Sequence, residues 1–430
     1  MQAEYPLVGR PTGAALFRGP SGMVDAATFL RAAHRVAVDL PGAGPVLNLC
    51  YERLGFAIAF AAAVIAGRPC VLACDRAAAG VAALRARFPD AVAITDATVL
   101  DIDRHGPAPA NPTVPAAQLA AIVLTSGSTG VPTAHEKTWG ALVTRTLAAA
   151  ERFGWTGDTT ILATVPPQHM YGFETSVLMP LHASVASWHG PALLPADIRA
   201  AMASVPGTVD LVTTPLHLRA LLDAGGILGV GHRRTISASA PLDPALAVAA
   251  EQAWGAPVHE IFGATEVGSI ASRRTVADDT WLAYPGVGLH ATDAVTTVTA
   301  PHHAALALVD LIALEGERFR LLGRRADVVK MAGKRTSLAA LALALNGLEG
   351  VEDAVFFAPD DLERTRAARL VAFAVAPTRR AEDLLAELRQ YIDPVFLPRR
   401  VVQVACLPRN AVGKLPRQAL VALHAAMLRP

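Results

Sequence analysis

The chain has 430 residues, 52% of them hydrophobic and only 17% charged, with a net charge of +1. That excludes a disordered, self-solvating chain and leaves material for roughly two to four domains or subdomains. No long run of one sign occurs, which argues against a general nucleic-acid binder, because counterion release needs a basic face. Cys50, Cys70, Cys74 and Cys406 are too few for a disulfide framework and show no CxxC spacing, so they are expected to be buried thiols in a reducing compartment.

Met1 to Arg18 has charges and two prolines but no apolar core, so it does not read as an export signal. Val46–Cys50 is a short apolar run that predicts a strand. Leu54–Gly67 follows as the most lipid-like stretch, but it is well short of the ~20 residues that span a bilayer. It predicts a buried helix in a soluble, cytoplasmic protein without a membrane span. Cys70–Ala73 and Val92–Thr95 predict strands, with a helix at Ala78–Phe88 between them. The Pro-rich stretch Arg104–Pro115 predicts a surface connection. Ala120–Thr125 is a strand, Trp139–Phe153 a helix and Thr160–Val165 a strand. Short apolar runs alternating with helices predict an α/β fold with a parallel sheet covered on both faces.

The pattern changes after about Gly323. Strands at Asp353–Phe357, Leu370–Val375 and Arg400–Ala405, with a helix at Glu382–Tyr391, predict a small α+β unit. From Ala326 onward there are 15 basic and 11 acidic residues, a net of +4, against −3 for the remainder. A basic small domain reads either as drift in surface composition or as a docking face for an anionic partner.

The segment with most chemistry is Leu124 to Pro132, LTSGSTGVP. A strand runs into a Ser/Gly/Thr loop whose backbone N–H groups and hydroxyls can converge on a phosphate. It is not a Walker A loop, since no Gly-Lys-Ser/Thr follows at the required spacing. Four further segments stand in order behind it: Pro166–Glu174 (PPQHMYGFE), Ile261–Gly268 (IFGATEVG), Asp310–Arg335 (DLIALEGERFRLLGRRADVVKMAGKR) and Ala411–Arg417 (AVGKLPR).

Together these segments resemble the motifs of the AMP-forming adenylating superfamily, which includes the acyl- and aryl-CoA synthetases, the adenylation domains of peptide synthetases and the luciferases. The resemblance runs from about Pro45 to Arg417. It implies a large, multi-subdomain adenylation domain over residues 1–324 and a mobile α+β cap over residues 326–430. It also implies attack of a carboxylate on the α-phosphate of ATP with Mg²⁺, release of pyrophosphate, and transfer of the acyl group to a thiol. The chain looks most similar to the short ligases of aryl-polyene and xanthomonadin-type pigment pathways. That narrower likeness implies a hydroxybenzoate-like aromatic acid as substrate and an acyl carrier protein as partner. The alternatives are coenzyme A as acceptor, or a catalytically silent nucleotide-binding relative.

The resemblance also implies roles for particular residues. Thr125, Ser126, Gly127, Ser128, Thr129 and Gly130 form the phosphate loop. Glu266 carries Mg²⁺, which suits a hard carboxylate oxygen, and Thr265 bonds the α-phosphate. Phe262 and Gly263 lie along adenine. Asp310 grips the ribose hydroxyls, with Arg324 as a second ribose or phosphate contact. Lys414 is the mobile cation of the adenylation step and His169 the gate of the acid pocket. Met170, Tyr171, Phe173, Ser237 and Ala264 line that pocket, and Gly333 belongs to the thioester-forming face.

Three positions depart from the family pattern. Thr133 stands where the loop usually ends in lysine; either Lys137 substitutes, reaching from the next helical turn, or the role is absent. Ala326 and Asp327 leave the hinge residue open. Lys334-Arg335-Thr336-Ser337-Leu338 replaces an acidic helix start. Elsewhere, His259-Glu260 opens an HExxH pattern that fails at Gly263, and His302-His303 reads as a loop pair without partners at metal spacing.

Overall fold

A computed structural model describes the chain apart from residues 1–2, 74–75, 100–105, 108, 126–132, 156, 227, 230, 293–294, 325–326, 332–333, 360–368, 410–414 and 428–430; for residues 324, 328, 330 and 335 it describes the backbone alone. Lys414, Gly333, Ala326, Cys74 and the loop residues Ser126, Gly127, Ser128, Thr129 and Gly130 therefore lie outside the described residues.

Two large sheets dominate. The first runs Val92–Ile94, Val46–Asn48, Cys70–Leu72, Leu119–Thr125 and Thr133–Thr138; its first four strands are parallel and the last is antiparallel. The second has eleven strands. Its parallel centre comprises Val258–Ala264, His232–Ser237, Thr208–Thr213, Thr159–Ala163, Val185–Trp188 and Ala15–Gly19. An antiparallel extension, Gly268–Arg274, Trp281–Ala283, Arg318–Arg324 and Asp310–Glu315, closes one edge. A separate antiparallel sheet comprises Gly288–Ala291, Thr296–Ala300 and His303–Leu308. The expected α/β class is thus present.

Local chemistry accounts for the helices between these strands. Trp139–Phe153 begins at Thr138, whose hydroxyl caps the Ala141 N–H, and ends at Gly154 in the left-handed region. Arg53–Ile65 is apolar on all sides, and every residue from Leu54 to Val64 is buried, as such a helix requires. Among the described residues no helix is long and apolar enough to cross a membrane. Arg53 itself is half-buried, with its guanidinium turned inward. It donates to the carbonyls of Ala163 (2.8 Å) and Val165 (3.1 Å) and to the Ser176 hydroxyl, tying the five-stranded layer to the eleven-stranded sheet.

Beyond residue 328 the chain forms two small sheets. Val328–Met331 pairs with Lys334–Ser337, and Asp353–Phe357 with Val371–Val375 and Val401–Gln403. Helices Leu338–Asn346, Ala381–Leu388 and Arg417–Met427 cover them. The apolar clusters here, around Leu345, Phe356, Leu384 and Phe373, contain no residue from before 329.

Three expectations change. Thr113–Pro115, inside the predicted surface connection, is a strand paired with Glu4–Pro6. A strand, Thr133–Thr138, separates the Ser/Gly loop from the Trp139 helix, so Lys137 is not on a helical turn. Cys406 is exposed, whereas Cys50 and Cys70 are buried free thiols.

His182, His232 and His259 have pKa values pushed down to about 4, chiefly by burial. The ordinary value is ~6.5, so between pH 6.5 and 4 the unfolded chain binds more protons than the folded one. Stability held above that window is lost as pH falls through it, at up to about 1.4 kcal/mol per pH unit for each histidine. Urea unfolding should show a lower midpoint near pH 5 than near pH 7, and His182→Asn should flatten the dependence. Equal midpoints would contradict these assignments.

Candidate active site

The centre of the site is the turn between Val258–Ala264 and Gly268–Arg274, where Ala264 faces Gly268 across the ladder and the Val267 N–H closes on the Ala264 carbonyl at 3.1 Å. Thr265 and Glu266 sit on this turn, half-buried. It lies at the carboxyl end of the last parallel strand, the edge where open α/β sheets bind ligands.

Three neighbours hold it. Glu174, buried in the π-helical turn Glu174–Leu178, accepts from the Ser269 N–H at 3.1 Å and from the Ser269 hydroxyl. Single π turns often mark functional segments. Gly268 permits this approach. Its φ is +101°, and a Cβ there would stand 2.2 Å from Glu174 Oε1. The second neighbour is Lys137, only 2% exposed, whose ammonium donates to the main-chain carbonyl of Glu266. The third is His303, whose Nε2 stands 2.9 Å from the same carbonyl and whose Nδ1 stands 2.7 Å from the Ala304 carbonyl; with the ring proton on Nε2, His303 donates to the Glu266 oxygen. The five-stranded and three-stranded sheets thus both end on one oxygen of the eleven-stranded sheet.

Charge follows from this packing. Burial pushes the Lys137 pKa down to about 8, against the pull of Glu174 and Glu266. Burial raises the Glu174 pKa, and the Ser269 bonds and the charges of Arg145 and Lys137 oppose it. Among the described residues no donor meets the Glu266 carboxylate itself. A hard, uncommitted carboxylate oxygen fits Mg²⁺, which commonly takes one or two protein carboxylates and completes its shell with water and phosphate oxygens.

Other expected residues fall into place unevenly. Thr125 ends the strand that enters the Ser/Gly loop, and its Oγ1 is 3.0 Å from His135 Nε2. Asp310 stands opposite Arg324 in the ladder of the edge hairpin. His169 is the N-cap residue of the Met170–Phe173 turn. Tyr171 is partly buried and donates its hydroxyl to the Ile236 carbonyl at 2.8 Å, fastening this turn beside Ser237. Ser237 is buried and, among the described residues, its hydroxyl has no partner. It is in register with Thr213, whose Oγ1 is 3.0 Å from Thr164 Oγ1, and Thr164 Oγ1 is 2.9 Å from His217 Nδ1. A polar row therefore crosses three adjacent strand ends.

Several expectations change here. Phe173 is 0% exposed and packs edge-on against Phe60 at 4.9 Å, and Met170 joins the same cluster. Both are core side chains, not pocket walls. Phe262, 9% exposed, packs with Trp281 (centroids 5.7 Å) and Phe319 (5.9 Å) in the apolar cluster beside the turn. Lys137 stands on a strand and donates to the Glu266 carbonyl, which places its ammonium beside the Glu266 turn. His303 is likewise more than a loop residue. Glu174, His303, His135 and His217 went unassigned by sequence reasoning. Glu174 alone left a signal there, as the one charge in the apolar run from Met170 to Leu178.

A carboxylate-bearing turn at the ends of parallel strands, where open α/β sheets bind ligands, suits a nucleotide-dependent enzyme. Residues 57–308 match the family model for AMP-binding enzymes. The 4-coumarate–CoA ligase of Halorhodospira halophila is 30% identical over 305 residues, covering 68% of this chain and 73% of the relative. ATP-bound MatB from Rhodopseudomonas palustris superposes with a TM-score of 0.82 at 20% identity over 97% of both chains. The o-succinylbenzoate CoA synthetase MenE of Bacillus subtilis, solved with its acyl-adenylate, gives 0.83 at 16% identity over 97% of this chain and 98% of that one. The chain belongs to the AMP-binding enzyme family. Members adenylate a carboxylic acid with ATP and Mg²⁺ and pass it to a thiol, and this protein is an adenylating ligase of that kind.

Glu174→Ala removes the acceptor of both Ser269 bonds and should cost about 2–3 kcal/mol in stability. Glu174→Gln keeps one acceptor and should recover at least half. Chemical denaturation of both variants checks this, and equal losses would show that the carboxyl holds the turn by charge and not by hydrogen bonding.

Proposed function

We propose that the enzyme activates a small aromatic carboxylic acid in the hydroxybenzoate range and transfers it to a phosphopantetheine thiol, foremost that of coenzyme A. The observation that carries the adenylation step is the Glu266 turn, fixed from three sides beside the strand that enters the Ser/Gly loop. The aromatic substrate is supported by the 4-coumarate–CoA ligase relative and by the polar row Thr164, Thr213, Ser237 and His217, suited to an acid with a polar ring substituent.

In this reading a carboxylate oxygen attacks the α-phosphorus, the bond to the β-phosphate oxygen breaks, and pyrophosphate leaves. Thr265 donates to the α-phosphate and Asp310 with Arg324 grips the ribose. Lys414 stabilises the charge that develops during attack. Mg²⁺, held by Glu266, neutralises phosphate charge when bound. The thiol sulfur then attacks the acyl carbon, the acyl–phosphate bond breaks, and AMP leaves. Residues 326–430 form the cap that exchanges these two poses about the Arg324–Asp327 joint, with Gly333 on its thioester face. The separation of apolar clusters on either side of the joint supports this division.

A carrier protein is the second acceptor reading. The structure narrows its candidate surface. Arg379 pairs with Glu387 at 2.7 Å and Arg380 with Glu382 at 2.5 Å, so neither offers a free charge. Arg399 and Arg400 are exposed and, among the described residues, unpaired.

The test is acid-dependent exchange of labelled pyrophosphate into ATP across benzoates, cinnamates and medium-chain fatty acids. Exchange with hydroxybenzoates is expected, and exchange with none would leave the silent-relative reading. Lys414→Ala should lower exchange by ~10²–10³ while sparing thioester formation from supplied acyl-adenylate. Equal loss of both half-reactions would contradict its role. Coenzyme A should be loaded efficiently. Preference for an acidic holo-carrier protein, weakened by Arg399→Glu with Arg400→Glu and weakened less at high salt, would establish the carrier reading instead.

A further inference from the structure

We propose that Lys137 and His303 are a pair of positioning residues for adenylation that act through one atom, the main-chain carbonyl oxygen of Glu266. They reach it from opposite neighbours. Lys137 comes from the strand leaving the Ser/Gly loop, in register with Ala121, and His303 from the first residue of the His303–Leu308 strand. Each donates to the Glu266 oxygen. Two donors on one carbonyl fix the orientation of the peptide plane that joins Glu266 to Val267 and, with it, the direction in which the Glu266 side chain leaves the turn.

A second observation concerns the hairpin that presents His303. His302, just before it, lies in the left-handed region at φ +55°, uncommon for a residue with a side chain. Strained backbone of this kind persists where its surroundings over-determine it. Here the His302 ring meets the Tyr5 hydroxyl at 3.0 Å and stands edge-on to the Tyr5 ring, with centroids 5.7 Å apart. Gly140, at the start of the Trp139 helix, makes room for it, since a Cβ there would lie 2.9 Å from His302 Cγ. The turn is thus locked against the layer that also carries Lys137. Burying an ammonium is unfavourable, and an apolar side chain of similar length would pack as well. A lysine here is accounted for by what its ammonium holds.

The inference rests on Glu266 as the Mg²⁺ ligand, so Glu266→Gln is the control. Full-length Lys137→Met, His303→Ala, His303→Gln and the Lys137→Met/His303→Ala double variant are compared. Three quantities are read: the exchange kcat with its half-saturating Mg²⁺, the calorimetric affinity for Mg²⁺ with a non-hydrolysable ATP analogue, and the thermal midpoint. Each single loss of a donor should weaken Mg²⁺–nucleotide binding and kcat by about 10- to 100-fold. The double variant should be little worse than the weaker single one, because both donors serve one oxygen. His303→Gln, which restores an N–H donor, should recover most of the loss. Should Lys137→Met fail to fold, the His303 variants decide alone. Unchanged binding in His303→Ala, or a loss that follows the thermal midpoint and that His303→Gln does not rescue, overturns the proposal. If Glu266→Gln abolishes metal binding while the donor variants do not weaken it, positioning fails and the ligand assignment stands. If Glu266→Gln changes nothing, both fall.

Discussion

A single carbonyl oxygen, that of Glu266, receives a lysine from one sheet and a histidine from another. The surrounding architecture is arranged so that these two donors can arrive. Lys137 lies on the strand that pairs with Leu119–Thr125, so whatever places the lysine also places Thr125 and Thr133. The His303 hairpin does the same from the other side, and Glu174 closes the third through Ser269. The turn that carries Thr265 and Glu266 is therefore determined by long-range contacts, although the turn itself is only a few residues long.

The same logic explains an unusual set of inward-facing charges. Lys137, Glu174 and Arg145 are buried, and the Arg53 guanidinium is enclosed deeply enough to lower its pKa. Ionic groups in such places cost stability unless their bonds are satisfied, so replacement by apolar residues would favour the fold. Their bonding partners are instead the carbonyls, N–H groups and hydroxyls around the strand ends. Arg53 bonds the Ala163 and Val165 carbonyls just before the Pro166–Glu174 segment, and Glu174 bonds Ser269 just after the turn. Stability is given up at the positions where backbone direction matters for phosphate and acid binding. For Lys137 the same burial lowers the pKa to about 8.

Much of the fold was legible because burial leaves a periodic mark. Trp139–Phe153 and Asp353–Phe357 were bounded correctly from their apolar spacing, and the buried Leu54 helix from its lack of polar residues. Thr133–Thr138 was not legible. Its sequence, TAHEKT, carries no large apolar residue, and its buried side chain is a lysine held by a distant carbonyl. Ordered motifs located the turn, the loop strand and the edge hairpin. They could not separate pocket from core within HMYGF, because Met170, Tyr171 and Phe173 are all apolar-faced and only three-dimensional packing assigns Phe173 to Phe60. His303 left no mark at all. A lone histidine beside another is indistinguishable from a surface pair until the hairpin is folded against the Glu266 turn.

The central claim is that this turn, so held, delivers a carboxylate to the metal that accompanies ATP. A crystal structure of the enzyme with Mn²⁺ and a non-hydrolysable ATP analogue, read by the anomalous signal of the metal, tests it directly. The expected result is a Mn²⁺ peak bonded to a Glu266 carboxylate oxygen, with the Lys137 and His303 bonds to the Glu266 carbonyl intact. A metal bound to other residues, with the Glu266 carboxylate turned away from the phosphates, would contradict it.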